Sequence, residues 1–580
     1  MNKICLNIIL FFKRVDRRGR LSCFFVDELL FCFLIFLLLL PLFNISFASD
    51  WWNGNWKYRR EIIINPQTVS EKTGDVVYIE FPVASLARAD GKDIRVISQE
   101  NKEIPYLLIS HNFEDKTSLV FPVKNITRKY YIYYGNPKVT APPQKFDYCG
   151  KPILEIYSLN ENIKRRLKLL FQQTRLNKDE PITFSAVIKL IKNQCQLMGR
   201  EILDSPTLGF NPFSKDSSYI AVISGWLKVN ISDQYLIGIN AHNSAFLFVD
   251  QNVLVSWPGT HPPDGGFLGH HAEKIYLNTN PHRLDLVNIQ TGPGQGCTSG
   301  FTYAKTPGLM RNFNRNDFPS LIKAKPSYLE IINTINQIIP DFNWTIETDL
   351  GLEKMDVSLI SFSNLSSGAP TSSLEYLWDF GDGITSTQVS PVHVYLGGGI
   401  YPITLKITHP KQGMIKSVTQ RVRAFPRNWE VTSDYSVRFE RIFKILQDYP
   451  FDKLSIHSLL NIRNIYIDLG DEASAQKALL TSLEKINESE SDQYLAELFE
   501  ACESMWFEHE SIEEGKSFLQ KFAEKCKNPF FSAKAKINLG EIILKYENKI
   551  DEAEAIFKEE GKKFENKNKS LYLPLKINKK

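Results

Sequence analysis

The hydrophobic pattern of this chain changes once, near residue 430. Before that point, short runs rich in Ile, Val, Tyr and Phe alternate with Gly, Pro, Asn and Asp. They recur at about 8–12 residues, the spacing typical of β-sandwiches. After that point Gly and Pro become rarer and apolar residues follow a helical period. The pattern predicts a multidomain chain of three all-β sandwich domains followed by an all-α array of helical hairpins.

Length and charge agree with a modular protein. The chain has 580 residues, several times the roughly 150 residues of a typical domain. The formal net charge is +4, and the first 48 residues supply most of it, with six Lys/Arg against three Asp/Glu. The remainder is close to neutral and supplies no strong field for nucleic acid or an acidic membrane surface. We therefore expect no nucleic-acid partner.

The N-terminus has the features of a secretory signal peptide. Basic residues, including Lys13 and Arg20, precede an apolar run over 29–43, and Ser46-Phe47-Ala48 is a small-residue cleavage site. The run is shorter than the roughly 20 residues that span a bilayer. We expect residues 1–48 to be removed and the protein to reach the periplasm, cell surface or medium. The alternative is an uncleaved anchor, which would hold the chain on the membrane.

Five cysteines follow the leader, and no Cys-x-x-Cys pair occurs: Cys149, Cys195, Cys297, Cys502 and Cys526. This number excludes a zinc ribbon or a dense disulfide framework. In an oxidising compartment the sequence predicts two disulfides and one free thiol. Cys502 and Cys526, on consecutive predicted helices, are one candidate pair.

Residues 49–140 form the first predicted sandwich. The segment opens with Trp51-Trp52-Asn53-Gly54-Asn55-Trp56-Lys57-Tyr58-Arg59-Arg60, contains Asp90-Gly91-Lys92-Asp93-Ile94-Arg95 and closes with Tyr133-Tyr134-Gly135-Asn136-Pro137. These motifs resemble a domain of unknown function at the start of many bacterial surface proteins. Some of its relatives are fused to proton channels of the biopolymer-transport type. We interpret the tryptophans as plugs of the sandwich end, and a carbohydrate platform is the alternative.

Residues 149–310 form the second predicted sandwich, with a helical, basic excursion at 160–173. Five short motifs in this segment are informative: Tyr219-Ile220-Ala221, Gly225-Trp226-Leu227, Tyr235-Leu236-Ile237-Gly238-Ile239, Phe246-Leu247-Phe248-Val249-Asp250 and Trp257-Pro258-Gly259. They resemble the β-sandwich family first seen in anthrax protective antigen, several members of which bind glycans. Glycan-binding adhesins of that family hold calcium with adjacent Asp-Asp carboxylates, and this segment has no such pair. We therefore expect any sugar binding here to be independent of calcium.

The stretch from Trp257 to His271 is the longest polar, glycine-rich excursion of the second sandwich. Loops carry function on such scaffolds, aromatic rings stack on sugars, and Asp or His bonds hydroxyl groups. The candidate ligand-binding residues are Asp250, Trp257, His261 and Asp264. The alternative is that Trp257-Pro258-Gly259 only closes the sandwich edge.

Histidine is concentrated in the same region: His242, His261, His270, His271 and His282 fall within forty-one residues. Imidazole is a good zinc or copper ligand. However, His270 and His271 are adjacent and on a strand would face opposite sides. We expect no metal site and no cofactor.

Residues 311–345 show no clear period and predict a linker with a short helix around 328–338. Residues 346–425 return to β, with Tyr376-Leu377-Trp378-Asp379-Phe380-Gly381-Asp382-Gly383, Pro391-Val392-His393-Val394-Tyr395 and Gly399-Ile400-Tyr401-Pro402. These motifs resemble a polycystic-kidney-disease (PKD) domain, an immunoglobulin-like sandwich.

Structural roles are expected for five residues of the first motif. Trp378 and Phe380 point the same way from a strand and would fill the core, and Gly381, Asp382 and Gly383 would form a tight turn. Asp379 and Asp382 either bond the turn backbone or ligate calcium, and we favour the backbone.

Residues 430–570 contain three weakly similar units. Tyr466, Gly470 and Ala475 are spaced by four and five residues, and the same spacing recurs from Trp506 to Gly515. The pattern resembles tetratricopeptide repeats, and a generic helical-hairpin array is the alternative. The resemblance implies a groove for a protein partner.

Neither a phosphate-binding loop nor His-Glu-x-x-His or Gly-x-Ser-x-Gly occurs, so no catalytic residue is assigned. We expect a non-catalytic, exported protein for binding or scaffolding at the bacterial envelope, with a glycan or a protein as partner. Three alternatives stay open: a glycan-binding accessory of polysaccharide degradation, a hydrolase with an unrecognised site, and a membrane-anchored partner of an energised biopolymer-transport complex.

Overall fold

The computed structural model describes residues 51–564 apart from 65–74, 112–115, 124–128, 142, 177–182, 215, 264–269, 293–295, 304–309, 335–336, 353–354, 426–434, 469, 488–490 and 508–511. The predicted signal peptide lies outside the described residues. The chain divides into two compact units, 1–55 and 56–580. Of the first, only a short turn is described, in which the backbone N–H of Asn55 donates to Asn53 Oδ1 at 3.0 Å.

The first sandwich begins with seven described strands. They are β1 Tyr58–Ile63, β2 Asp75–Pro82, β3 Arg95–Ser98, β4 Glu103–Ile104, β5 Leu107–Ser110, β6 Lys116–Val123 and β7 Tyr130–Tyr134. Alternate residues of β2, namely Val77, Ile79 and Phe81, are fully buried against Leu119 and Phe121 of β6. The period-two pattern that predicted these strands therefore places their apolar side chains in one core.

The second sandwich contains two helices as well as strands. Its elements are β8 Ile153–Ser158, α1 Glu161–Leu176, α2 Phe184–Gln194, β9 Leu197–Ile202, β10 Thr207–Leu208, β11 Ser218–Leu227, β12 Asp233–Ala241, β13 Ser244–Val249, β14 Asn252–Trp257, β15 Ala272–Leu277, β16 His282–Thr291, β17 Cys297–Tyr303 and β18 Arg311–Asn312. The sheet β14-β13-β16-β11-β8-β9 faces the sheet β10-β17-β12-β15, and β18 pairs with β17. Both helices cover the outer face of the six-stranded sheet.

After the second sandwich the chain returns to the first. Residues 311–345 were expected to be a linker with a short helix, but they contain β19 Ile322–Pro326 and β20 Glu330–Ile331. Strand β19 lies between β1, its antiparallel neighbour, and β2, its parallel neighbour. The expectation failed because the strand carries two exposed lysines, Lys323 and Lys325, and its pairing partners are more than 240 residues away in the sequence. The second sandwich is therefore inserted into the first.

The third sandwich begins at Phe342, inside the expected linker. Its strands are β21 Phe342–Leu352, β22 Met355–Asn364, β23 Glu375–Asp379, β24 Thr385–Ser386, β25 Val392–Tyr395, β26 Gly399–His409 and β27 Met414–Ala424. They form a sheet β21-β22-β25 and a sheet β24-β23-β26-β27.

The C-terminal region is helical. Its described helices are α3 Tyr435–Leu446, α4 Ile456–Asp468, α5 Glu472–Glu484, α6 Asp492–Phe507, α7 Ile512–Lys525, α8 Pro529–Tyr546 and α9 Ile550–Phe564. From α4 onwards consecutive helices pack as hairpins. A Cβ at Gly540 would lie 2.6 Å from the Phe557 ring, so the small residue permits close packing of α8 and α9. The predicted fold class, β-sandwiches followed by a helical-hairpin array, is confirmed.

One apolar core joins the third sandwich to the first helices. Leu446 and Leu459 are fully buried in the same cluster as Trp378. A hydrogen-bonded chain crosses the same boundary, because His393 Nε2 donates to Asp382 Oδ2 and His393 Nδ1 is hydrogen-bonded to the Tyr449 hydroxyl, both at 2.8 Å. None of the helices in the described ranges is long and apolar enough to cross a membrane.

The expected disulfides are absent from the structure, and that prediction is wrong. The five cysteines after the leader are all thiols. Cys502 and Cys526 do lie in one apolar cluster, but Cys526 stands beyond the end of α7 and its thiol bonds the Asn528 carbonyl at 3.7 Å. Burial raises the pKa of the Cys502 thiol, which disfavours the reactive thiolate.

Candidate ligand-binding site

Asp250 and Trp257 lie at opposite ends of one β-hairpin. Strands β13 and β14 pair with Val249 opposite Asn252 and Ala245 opposite Trp257. Asp250 and Gln251 form the two-residue turn, with positive φ angles of 48° and 74°. Five residues of extended strand separate the turn from Trp257, about 17 Å. Asp250 and Trp257, two of the four predicted ligand-binding residues, are therefore not brought together in one site.

The Asp250 carboxylate already has protein partners. His282 Nδ1 donates to its Oδ2 at 2.7 Å, and the backbone N–H of Arg283 donates to its Oδ1 at 2.8 Å. These bonds fix the start of β16 against the hairpin turn. Asp250 and His282 thus have a structural role, remote from the predicted loop.

Trp257 is stacked between two histidines. The His261 ring lies 3.8 Å from the indole at an interplanar angle of 7°, and the His271 ring lies 3.7 Å away at 14°. Two imidazoles cannot share one face at these separations, so both faces of Trp257 are covered. The predicted stacking of a sugar on a face of Trp257 is therefore not available in this arrangement.

The loop after β14 is attached to the turn between β12 and β13. The backbone N–H of Asn243 donates to the His261 carbonyl at 2.9 Å. Ser244 Oγ donates to the Gly259 carbonyl at 3.1 Å and accepts from the Gly259 N–H at 2.9 Å. These three bonds hold His261 beside His242, which sequence analysis had grouped with it only as a possible metal ligand.

A polar group of side chains lies beside this attachment. Nδ2 of Asn288 donates to the carbonyls of His242 and Ser244 at 3.0 and 3.1 Å. Asn243 Oδ1, Asn288 Oδ1 and His261 Nε2 are buried and have no hydrogen-bond partner within the described part of the chain. Buried polar atoms without a partner are uncommon in proteins, and a bound water or ligand is one way in which they are satisfied.

His242 is neutral at neutral pH. Burial, together with the neighbouring His261, lowers its pKa below the ordinary value of 6.5. The side-chain amide nitrogens of Asn243 and Gln290 both donate to its Nδ1, at 2.7 and 3.0 Å, so Nε2 carries the proton. We call His242, Asn243, Trp257, His261, His271 and Asn288 the loop pocket. Each member is uncharged or titratable only as an imidazole.

The structure does not gather the five predicted histidines. His282 belongs to the far end of the hairpin, bonded to Asp250. Among the described residues no group of three or more His, Cys, Asp or Glu could hold a metal ion. Asp264 lies outside the described residues, so its place in the candidate site stays a prediction.

Two residues of the loop pocket, Asn243 and Asn288, were missed by sequence reasoning. Asn288 follows Leu284 and Leu286 on the inner face of β16, where an amide interrupts an apolar row. That interruption was the available signal. Asn243 carried no comparable signal, because its closeness to His261 arises only from the tertiary fold.

The PKD-like turn has the predicted structural form. Trp378 and Phe380 are almost fully buried, and Gly381 and Gly383 have positive φ angles of 75° and 94°. Asp379 Oδ1 accepts from the Gly381 N–H at 3.0 Å, and Asp382 Oδ1 from the Ile384 N–H at 3.1 Å. The carboxylates therefore hold the turn backbone.

Comparison with protein families supports this domain. Residues 353–424 match the family model described as PKD domain. The chain contains a PKD domain. Collagenase ColQ1 from Bacillus cereus (strain Q1) is 52% identical over 46 residues, which are 8% of this chain and 5% of that protein. Microbial collagenase from Vibrio alginolyticus is 41% identical over 64 residues, 11% of this chain and 8% of that protein. The chain thus spans less than a tenth of these relatives.

Solved structures give similar partial matches. The PKD1 domain of Vibrio anguillarum Epp is 26% identical and covers 15% of this chain and 94% of its own, with a TM-score of 0.13. The PA14 sugar-binding domain from an RTX adhesin is 12% identical and covers 30% of this chain and 99% of its own, with a TM-score of 0.22.

Proposed function

We propose that this chain is an exported, non-catalytic modular protein of the cell envelope that binds a neutral glycan at the loop pocket. The observation that carries the proposal is the set of three buried polar atoms without a described partner, on Asn243, Asn288 and His261. Sugar hydroxyls both donate and accept hydrogen bonds, so they suit amide oxygens and an imidazole nitrogen together. The PKD domain and the hairpin array then act as spacer and scaffold.

The chemistry of the loop pocket favours a neutral ligand. Its described members include no carboxylate, lysine or arginine, and His242 is neutral because burial and His261 lower its pKa. Among these described members a charged ligand would lose its hydration without gaining an opposite charge. Because Trp257 is covered on both faces, we expect weak, calcium-independent binding through hydrogen bonds.

Paired substitutions test the proposal. His261→Ala with Asp264→Ala removes an imidazole and a carboxylate at the predicted loop, and we expect it to abolish retention on the glycan. The matched control, Asp250→Ala with His282→Ala, removes the same two residue types at the other end of the hairpin and should retain the glycan. Equal loss in both variants, with unchanged melting temperatures, would contradict a site at the loop pocket.

The remaining roles stay predictions. The hairpin array shares an apolar core with the PKD domain, since Trp378 and Leu459 lie in one cluster. This shared core suggests that the array is held in place to bind a protein partner. Deleting residues 487–580 should then remove the partner and leave glycan binding intact. Loss of both activities together would show that the array serves only stability.

A further inference from the structure

Helices α1 and α2 form a layer on the outside of the second sandwich. Their buried side chains, including Ile163, Leu167, Val187 and Ile191, pack against the outer face of the six-stranded sheet. A helix that buries one side against a sheet directs its opposite side away from that sheet. The exposed sides of α1 and α2 therefore face solvent in the same direction.

The exposed sides of this layer are basic. The two helices contain seven Lys/Arg and one acidic residue, Glu161. The described basic side chains are Lys164, Arg165, Arg166, Lys189 and Lys192. We call these five residues and Leu169 the basic layer.

Little of this charge is neutralised within the protein. Lys164 pairs with Glu161 at 3.3 Å, and Lys192 lies 3.5 Å from Glu155, which Arg200 also contacts. Arg165, Arg166 and Lys189 are exposed. Across the described residues, none of these three forms an ion pair. The near-neutral charge of the whole chain conceals this local excess.

An apolar side chain projects from the same region. Leu169 is 51% exposed and follows Arg165 and Arg166 by four and three residues, so it lies one turn further along the same side of α1. Lysine and arginine attract anionic headgroups, and a protruding apolar residue gains by entering the acyl boundary. A soluble polyanion attracts the same cations but offers no apolar phase for Leu169.

We propose that the basic layer docks on the surface of an anionic phospholipid bilayer. This inference goes beyond the proposed function, since the layer lies on the outer sheet face and the loop pocket lies at the hairpin end between the sheets. Each basic residue near an anionic surface contributes about a fivefold gain in partitioning. Docking would hold the second sandwich flat against a membrane whether or not the leader is cleaved.

The test measures partitioning of the full chain onto sucrose-loaded vesicles of phosphatidylcholine, with or without an equal part of phosphatidylglycerol. The leader carries six Lys/Arg of its own, so the basic layer is reported by the change in the ratio of the two partition coefficients when residues of the layer are substituted. We expect a ratio of about ten or more at low salt, falling as salt screens the charges. Arg165→Glu with Arg166→Glu should reduce the ratio several-fold below that of wild type, and Leu169→Ser should lower partitioning at every salt concentration.

The control is Lys411→Glu with Lys416→Glu, two exposed lysines of the PKD domain whose reversal changes net charge equally. This control should keep the wild-type ratio. The proposal is overturned if wild type shows no preference for anionic vesicles, or if the control loses the preference as fully as the Arg165 and Arg166 variant. It is also overturned if soluble dextran sulfate binds the layer while vesicles do not, because the partner is then a polyanion.

Discussion

Arg60 and Asp341 form a buried, bidentate ion pair across 281 residues of sequence, with N–O distances of 2.5 and 3.0 Å. Their side chains are 1% and 2% exposed. Arg60 Nε also donates to the Tyr134 hydroxyl at 3.0 Å. Burial alone would lower the pKa of Arg60, but Asp341 and Tyr134 more than offset this effect and raise it. The pair joins the first strand of the chain to the residue before the PKD domain.

Removing one partner of this pair should be costly. Asp341→Ala leaves the Arg60 guanidinium buried without its counter-charge, and we expect a loss of about 3–5 kcal/mol in the free energy of unfolding. Urea denaturation of the full chain measures it. The exposed pair of Glu161 and Lys164 supplies the control, since Glu161→Ala should leave the midpoint unchanged. Equal effects of both substitutions would contradict the structural role of the pair.

Trp378 should be essential to the PKD core. It is fully buried between Phe342 and Phe362, with ring centroids at 5.1 and 5.6 Å. Trp378→Ala should destabilise the domain by about 3–5 kcal/mol, because a large cavity remains. The neighbouring Leu377 is 42% exposed, so Leu377→Ala is a matched control with little effect. A melting temperature unchanged by Trp378→Ala would contradict the assignment of Trp378 to the core.

Tyr449 should couple the PKD domain to the helices. Its hydroxyl bonds His393 Nδ1 and accepts from the Val394 N–H, both at 2.8 Å. The same hydroxyl donates to the Val394 carbonyl at 3.0 Å. Tyr449→Phe removes all three bonds and leaves buried polar groups, so we expect a loss of about 1–3 kcal/mol. Calorimetry of the full chain measures it, with the exposed Tyr276→Phe as control. Independent melting of the PKD domain and the helices in wild type would argue against their shared core.

Acid should weaken the second sandwich through His242. Burial and His261 hold the pKa of His242 below 6.5 in the folded chain. The unfolded chain therefore binds this proton more readily, and stability is lost as the pH falls from about 6.5 through the lowered pKa. Comparing unfolding midpoints at neutral and mildly acidic pH, we expect a smaller decrease for His242→Gln than for wild type. Identical decreases would contradict the prediction, since the other histidines titrate in both proteins.

The sequence predicted elements whose signals are local. Trp378 and Phe380 share one strand face, and the following glycines permit a turn with positive φ, so the core and turn of the PKD domain were both foreseen. The hairpin array followed from helical periodicity in the same way. Such signals require only neighbouring residues and hold in most contexts.

Long-range pairing was the main source of error. Strand β19 has little apolar character, and it forms a strand because it pairs with β1 and β2. Asp250 and Gln251 form a tight turn without glycine, so the strand pairing that places Asp250 and Trp257 at opposite ends of one hairpin was not recognised. The stacking of His261 and His271 on Trp257 joins residues from both sides of a loop, which no period in the sequence encodes.

The most direct measurement of the central claim is binding of the wild-type chain to a broad array of neutral and acidic glycans, with calcium and with a chelator. Our account predicts weak retention of one or a few neutral glycans, equal in both conditions, and lost in the His261→Ala, Asp264→Ala variant. Binding that requires calcium, or retention of no glycan in either condition, would contradict a neutral-glycan site at the loop pocket.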